Sequence, residues 1–205
     1  MKELLAVDVA LLLPEEPNEL CKRINTALVQ DGPAGFSFDS THFPHVTLVQ
    51  QFVLKSNLAA LCSEVGRVLK GRSPLRLRAL ETAFVGTPTL LRIAKSNALR
   101  QIHEDLVNAL AGLSESWGDD SAFFSQGQSV QGWEIAYVTE YREAASFDRY
   151  DPHVTLGVGR SEIPMQPFSF TADLVGLYHL GKFCTCRRRL QEWRLNSATF
   201  NPESS

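Results

Sequence analysis

The chain has 205 residues, 44% hydrophobic and 21% charged, with 13 glycines and 10 prolines, a balance that excludes collagen-like, disordered and coiled-coil classes. Its 20 lysines and arginines against 23 aspartates and glutamates leave a formal charge of −3, so no basic field gathers long nucleic acid and any such contact must be local. Four cysteines, two of them in Cys184-Thr185-Cys186, fit neither a secreted disulfide framework nor the paired spacing of a structural zinc site, and are expected as reduced thiols in a cytoplasmic setting.

The apolar start, 4–13, reads as a buried strand. It is broken by Asp8 and stops at Pro14-Glu15-Glu16, too short for a membrane span and without a small-residue cleavage signal, so neither export nor insertion is expected. A helix follows at about 15–30, with Glu15 and Glu16 favourable in its first turn. A loop over 31–40 leads to a strand at 45–53, opened by Pro44 and rich in β-branched residues. Ser56 is a candidate cap for a helix through Leu58, Leu61, Val65 and Leu69, stopped by Gly71. Residues 75–79 alternate as a strand and pair with 90–94 in a hairpin across Gly86-Thr87-Pro88. Ser96 then starts a helix over 98–110. The stretch 112–132 reads as a surface loop or lid carrying exposed Trp117, Phe123 and Phe124. A strand is expected near 133–139, another opened by Pro152, and two long ones near 168–180 and 183–195, with a loose tail at 198–205. This order favours an α+β fold of antiparallel sheets with helices on their outer faces.

One pentapeptide occurs twice. Pro44-His45-Val46-Thr47-Leu48 returns as Pro152-His153-Val154-Thr155-Leu156, roughly a few-per-cent accident at average composition. Strand alternation puts the histidine and threonine of each copy on one face, roughly 7 Å apart, with the valine and leucine anchoring the other. Two such strands across a cleft would offer two imidazoles and two hydroxyls to one small anion. That suits phosphoryl chemistry: a neutral histidine takes a proton from the nucleophile, a protonated one donates to the leaving oxygen, and the threonines hold the non-bridging oxygens. No metal or other cofactor is required. Threonine is not a zinc ligand, and neither strand offers the carboxylate that a two-metal site would use.

On these motifs, His45-Val46-Thr47-Leu48 and His153-Val154-Thr155-Leu156, about a hundred residues apart and each opened by a proline, the chain resembles the two-histidine phosphoesterases. That superfamily includes 2′-5′ RNA ligase-like proteins and 2′,3′-cyclic nucleotide phosphodiesterases. The resemblance implies a pseudo-symmetric, bilobal α+β fold in which two antiparallel sheets face a central cleft and helices pack outside, here as a single domain over 1–197. It implies His45 and His153 as the acid and base, Thr47 and Thr155 as phosphate holders, and no metal. The expected activity is metal-independent hydrolysis of 2′,3′-cyclic phosphates on nucleotides or RNA termini. Cleavage or ligation of a 2′-5′ phosphodiester, or binding of nucleotides or RNA ends without turnover, are the alternatives. A monomer is expected, with no membrane partner. Many bacterial 2′-5′ RNA ligase-like members carry an arginine soon after the second motif, where this chain has Gly157-Val158-Gly159 before Arg160, which leaves the substrate open.

Among lesser candidates, Phe43, Phe84, Trp133, Tyr150 and Tyr178 are aromatics able to stack on a base, with Phe43 and Tyr150 favoured because they directly precede the motifs. Alternation places Gln51 on the face of His45 and Thr47. Lys182, Arg187, Arg188, Arg189 and Arg194 form a basic cluster that would serve an RNA path or guard a sheet edge. His42 is a candidate neighbour of the site, His103 is expected on a helix surface, His179 is placed on a long strand, and the cysteines are assigned no chemistry.

Overall fold

The computed structural model describes residues 3–31, 35–125 and 127–196; the expected tail at 198–205 lies outside them. Nine strands and four helices follow one another as β1 (Leu4–Leu12), α1 (Glu15–Asp31), β2 (His45–Leu54), α2 (Leu58–Leu69), β3 (Leu75–Phe84), β4 (Pro88–Ile93), α3 (Asn97–Leu110), β5 (Ser114–Glu115), α4 (Gly132–Ala144), β6 (His153–Val158), β7 (Phe168–Ala172), β8 (Leu174–Gly181) and β9 (Thr185–Arg194) among the described residues. The strands form two antiparallel sheets, one ordered β5-β2-β1-β8-β9 and the other β6-β4-β3-β7, so each repeated motif opens a strand of a different sheet.

β1 explains much of this arrangement. Its near-unbroken apolar run is that of a strand covered on both faces, and it lies between β2 and β8. On one face Leu5, Val7, Val9 and Leu11 join Leu61 and Val65 of α2 and Leu99, Ile102 and Leu106 of α3 in the main core. On the other, Leu4 and Ala6 meet Phe52, Phe123 and Val138, while Ala10 meets Tyr178 and Cys186. Asp8 stands between those two apolar groups, completely buried. At Gly176 the missing side chain admits the Tyr178 ring, since a Cβ there would lie 2.3 Å from Tyr178 Cε2.

Both motif strands carry a bulge at the same place. β1 pairs Val9 with Val49 and Ala10 with Thr47, so Leu48 is extra. β4 pairs Thr89 with Gly157 and Leu90 with Thr155, so Leu156 is extra. The extra residue opens the ladder and bends the strand locally.

Three elements differ from their expectations. Residues 133–139 lie in a helix, although Ile135, Tyr137 and Val138 are strand formers: Glu134 accepts the Gln131 backbone N–H at 2.6 Å, closing the N-terminus, and Glu134, Val138 and Tyr141 bury one face. The long strand expected at 168–180 is two, β7 in the smaller sheet and β8 in the larger, divided at Asp173. In the 112–132 stretch only Trp117 of the three aromatics is exposed; Phe123 is buried edge-on against Phe52, so the segment is partly core. Ser96 does cap α3, accepting the Leu99 N–H at 3.2 Å, whereas Ser56 falls inside a short 3-10 turn ahead of α2. No helix of the described residues is long and apolar enough to cross a membrane.

Gly176→Val should displace the Tyr178 ring and lower stability by about 1–3 kcal/mol as overpacking does; urea unfolding followed by fluorescence measures it, and an unchanged midpoint would contradict the close packing.

Candidate active site

β2 and β6 approach each other where the sheets meet, and the motif histidines are built alike. Nδ1 of His45 lies 2.7 Å from the Phe43 carbonyl and Nδ1 of His153 2.7 Å from the Asp151 carbonyl, each two residues upstream. A carbonyl only accepts, so each Nδ1 carries the proton and donates it, and Nε2 is the nitrogen left to exchange protons. His153 and Thr47 both line a hollow of about 220 Å³, walled by Tyr137 and Tyr141 of α4 together with Arg149 and Tyr150. α4 therefore stands at the cleft and not behind a sheet. His45, Thr47, His153 and Thr155 are all half-buried.

The bulges expose backbone carbonyls to side chains from the helices. The Leu48 carbonyl is met by His103 Nδ1 of α3 at 2.5 Å, and the Leu156 carbonyl by Asn25 Nδ2 of α1 at 2.8 Å. His103 is completely buried, not on the surface as its helix position suggests. Its Nε2 accepts the Phe147 N–H at 3.1 Å, so it is a neutral ring bonded at both nitrogens, and burial pulls its pKa down. Tyr150 donates its hydroxyl to the Thr47 carbonyl at 2.9 Å and stacks on His103 with ring centroids 3.8 Å apart. Tyr150 is buried at 5% exposure and braces the motif segments, with one ring face taken by His103. Phe43 is half-buried beside Tyr178, centroids 6.2 Å apart.

The bulge also corrects the face assignment on β2. Gln50, not Gln51, shares the side of Thr47: its Nε2 donates to Asp8 Oδ2 at 2.7 Å, while Gln51 is buried on the other side. Asp8 went unnoticed as a functional residue because it is a lone acid in an apolar strand. Its Oδ2 also accepts the Thr47 hydroxyl at 2.8 Å and lies 3.7 Å from His45 Nε2. Burial raises the Asp8 pKa above the usual carboxylate value, against the lowering effect of His45 and of its hydrogen bonds to Gln50, Thr47 and Cys186. His153 has a different setting. Desolvation lowers its pKa, opposed by the Asp151 backbone and carboxylate and reinforced by the charges of His45 and Arg92. Arg92, which pairs with His153 across the ladder, bonds Asp151 at 3.2 Å and was likewise not legible as a neighbour of the site.

His42 accepts from Arg187 Nη1 through Nδ1 at 2.9 Å, and burial, then the charges of Arg187 and His45, push its pKa down to about 3. It lines a second hollow of about 320 Å³ with Phe36, Asp39, Lys182, Phe183 and Arg187. The rest of the basic cluster is spread along the strand: Arg189 pairs with Glu192 and Arg194 with Asp173. His179 bonds the Ala122 carbonyl through Nε2 at 2.8 Å, a structural tie. All four cysteines are free thiols.

Two antiparallel sheets whose His-x-Thr strands meet, with Thr47 of one and His153 of the other on a common hollow, have the architecture of a two-histidine phosphoesterase. A family model described as the 2'-5' RNA ligase superfamily matches residues 16–169, and the chain belongs to that superfamily. Solved structures share the fold. TT0787 of Thermus thermophilus is 16% identical with a TM-score of 0.60, over 94% of this chain and 99% of that one. LigT of E. coli complexed with phosphate is 16% identical with a TM-score of 0.54, over 95% and 99%; complexed with ATP it is 17% identical with a TM-score of 0.56, over 95% and 99%. At these identities the likeness concerns the fold. No curated protein is similar enough in sequence to count as a match.

His103→Leu leaves the Leu48 carbonyl buried without its donor and should cost about 1–3 kcal/mol. Asn25→Leu should cost a similar amount through the Leu156 carbonyl. Chemical denaturation of both variants checks this; equal stability to the parent chain would deny these side chains their part in holding the bulges.

Proposed function

We propose that the protein is a metal-independent phosphodiesterase that hydrolyses 2′,3′-cyclic phosphates of nucleotides or RNA ends, with His45 and His153 as the proton-transfer pair. The observation that carries this reading is the matched anchoring of the two imidazoles, each spending Nδ1–H on its own chain at 2.7 Å and keeping Nε2 for chemistry. The LigT complexes with phosphate, 3'-AMP and ATP support a phosphate-bearing nucleotide as the ligand class.

The surroundings of the two rings favour unlike roles. Desolvation keeps His153 neutral at neutral pH, which suits the base that takes a proton from the attacking water. His45, 3.7 Å from the Asp8 carboxyl, is the counterpart that donates to the departing ribose oxygen. Water adds to phosphorus as the ester bond to that oxygen breaks, and the product is a phosphomonoester. Thr155 and Thr47 hold the non-bridging oxygens where negative charge grows. The Thr47 hydroxyl is given to Asp8 at 2.8 Å, so it can serve the phosphate once Asp8 holds a proton and donates back to Thr47 Oγ1, and the raised Asp8 pKa favours that state.

Phosphorus NMR of 2′,3′-cyclic mononucleotides and of short RNAs ending in the cyclic phosphate, in excess EDTA, tests the proposal. Turnover should persist in EDTA and fall by about 10²–10⁴-fold in His45→Ala or His153→Ala, the usual range for a lost acid or base. Metal dependence, or full activity in either variant, would refute it. Because burial favours the neutral His153 ring, its proton leaves at a lower pH than an unperturbed histidine's. The acid limb of kcat/KM should therefore lie below pH 6.5 and disappear in His153→Ala; a midpoint above that value would remove His153 as base.

A further inference from the structure

We propose that Asp8, His45 and Cys186 form a binding site for a divalent transition-metal ion, zinc foremost, and that the bound ion silences the histidine pair. Three strands supply the donors: β1, β2 and β9 bring a carboxylate oxygen, an imidazole nitrogen and a thiol sulfur within 4.8 Å of one another. Neither motif strand offers a carboxylate, but the neighbouring β1 does.

The spacing suits the ion. With zinc bonds of about 2.0–2.3 Å to nitrogen, oxygen and sulfur, the donors of a tetrahedral site stand about 3.3–3.8 Å apart. His45 Nε2 and Asp8 Oδ2 are already 3.7 Å apart, and the thiol has to approach by at most about an ångström. The donors are also oriented in advance. His45 gives Nδ1–H to the Phe43 carbonyl, the outer contact that aims Nε2 in zinc-bound histidines. The Asp8 carboxyl is fixed by Thr47 at 2.8 Å and Gln50 at 2.7 Å.

A second, independent feature points to a cation. Asp8 is completely buried, its Oδ1 has no conventional hydrogen-bond partner, and the one ion-pair partner recorded for it among the described residues is His45. The thiol of Cys186, itself completely buried, faces the Asp8 carboxyl on that side and is hydrogen-bonded to it, so these two donors are already turned toward each other. A carboxylate in such a place is unfavourable without a positive partner, and a dication between Asp8 and Cys186 supplies one. One thiolate, one imidazole and one carboxylate match zinc, whereas magnesium and calcium demand oxygen ligands. Binding releases to solvent the Cys186 thiol proton and the proton that burial favours on the Asp8 carboxyl, forms bonds to Sγ, Nε2 and a carboxylate oxygen, and involves no change of oxidation state. Three protein donors leave a fourth position to water or a phosphate oxygen.

The inhibitory consequence rests on the phosphodiesterase reading, because an Nε2 lone pair held by the ion cannot carry a proton; the binding itself does not rest on it. Equilibrium dialysis and cobalt titration of the EDTA-stripped full chain therefore come first. One zinc per chain and a thiolate-to-cobalt charge-transfer band are expected, both lost in Cys186→Ser and in the isosteric Asp8→Asn, and both kept in Cys62→Ser, which removes the half-exposed thiol. Thermal melts establish that each variant is folded. Undiminished zinc binding by folded Cys186→Ser and Asp8→Asn, or none by the parent chain, would overturn the site. In the activity arm, one equivalent of zinc should abolish cyclic-phosphate turnover of the stripped parent enzyme and EDTA restore it, while Cys186→Ser keeps its own zinc-free rate. Equal inhibition of both would assign the effect to another site. A stripped enzyme with no turnover that still binds zinc through Cys186 would defeat the phosphodiesterase reading and leave the metal site standing.

Discussion

The geometry of the cleft depends on one irregularity made twice, the extra residue after each motif threonine. A regular ladder through Leu48 or Leu156 would engage their carbonyls with the neighbouring strand and carry strict alternation to the strand's end. The bulge frees those carbonyls, and buried polar groups from outside the sheets take them: His103 at Leu48 and Asn25 at Leu156. Each motif is thereby tied to a helix of its surroundings. Because Tyr150 reaches from just ahead of the second motif to the Thr47 carbonyl, the two motifs are also tied to each other. Buried polar networks of this kind are worth having only when every member is satisfied, and His103 meets that condition with a partner at each nitrogen.

The repeated pentapeptide made the principal candidates legible, since an identical His-x-Thr in two strands has few structural explanations, and the apolar run at 4–13 announced a buried strand. What escaped was whatever depends on contacts between distant segments. Asp8 is one acid in an apolar strand, and only the β1–β2 register puts it beside Thr47 and His45. Gln50 was missed and Gln51 placed on the face of Thr47 because period-2 alternation holds only until a bulge intervenes. His103 occupies a helix whose periodicity does not reveal which polar residue faces inward. The helix at 132–144 was obscured by Ile135, Tyr137 and Val138, whose strand preference gives way to the Glu134 cap and a face buried at i, i+4 and i+7. The division at Asp173 left no mark, because strand residues continue on both sides of it.

The two halves repeat in motif, bulge and histidine anchoring, and differ in charge. His45 sees a buried carboxyl, whereas His153 sees exposed Asp151 and Arg92 at its strand neighbour. Two identical imidazoles in identical surroundings would titrate together and divide the acid and base roles poorly. Desolvation of the His153 ring sets it apart from that symmetry, and the buried acid on β1 makes the cleft receptive to a dication.

The passage from β7 to β8 at Asp173 bears on how the chain folds. The larger sheet takes β1 and β2 from the beginning of the described chain and β8 and β9 from its end, and the smaller sheet is strung between them. β1 meets its β8 partner only after about 170 intervening residues have been made, a separation that slows folding and lengthens exposure of unpaired edges. During synthesis the most apolar strand of the protein therefore waits with one edge open until the last hairpin emerges. A chain truncated ahead of β8 would lose that partner for β1 as well as two strands, and would be expected to aggregate instead of persisting as an isolated lobe.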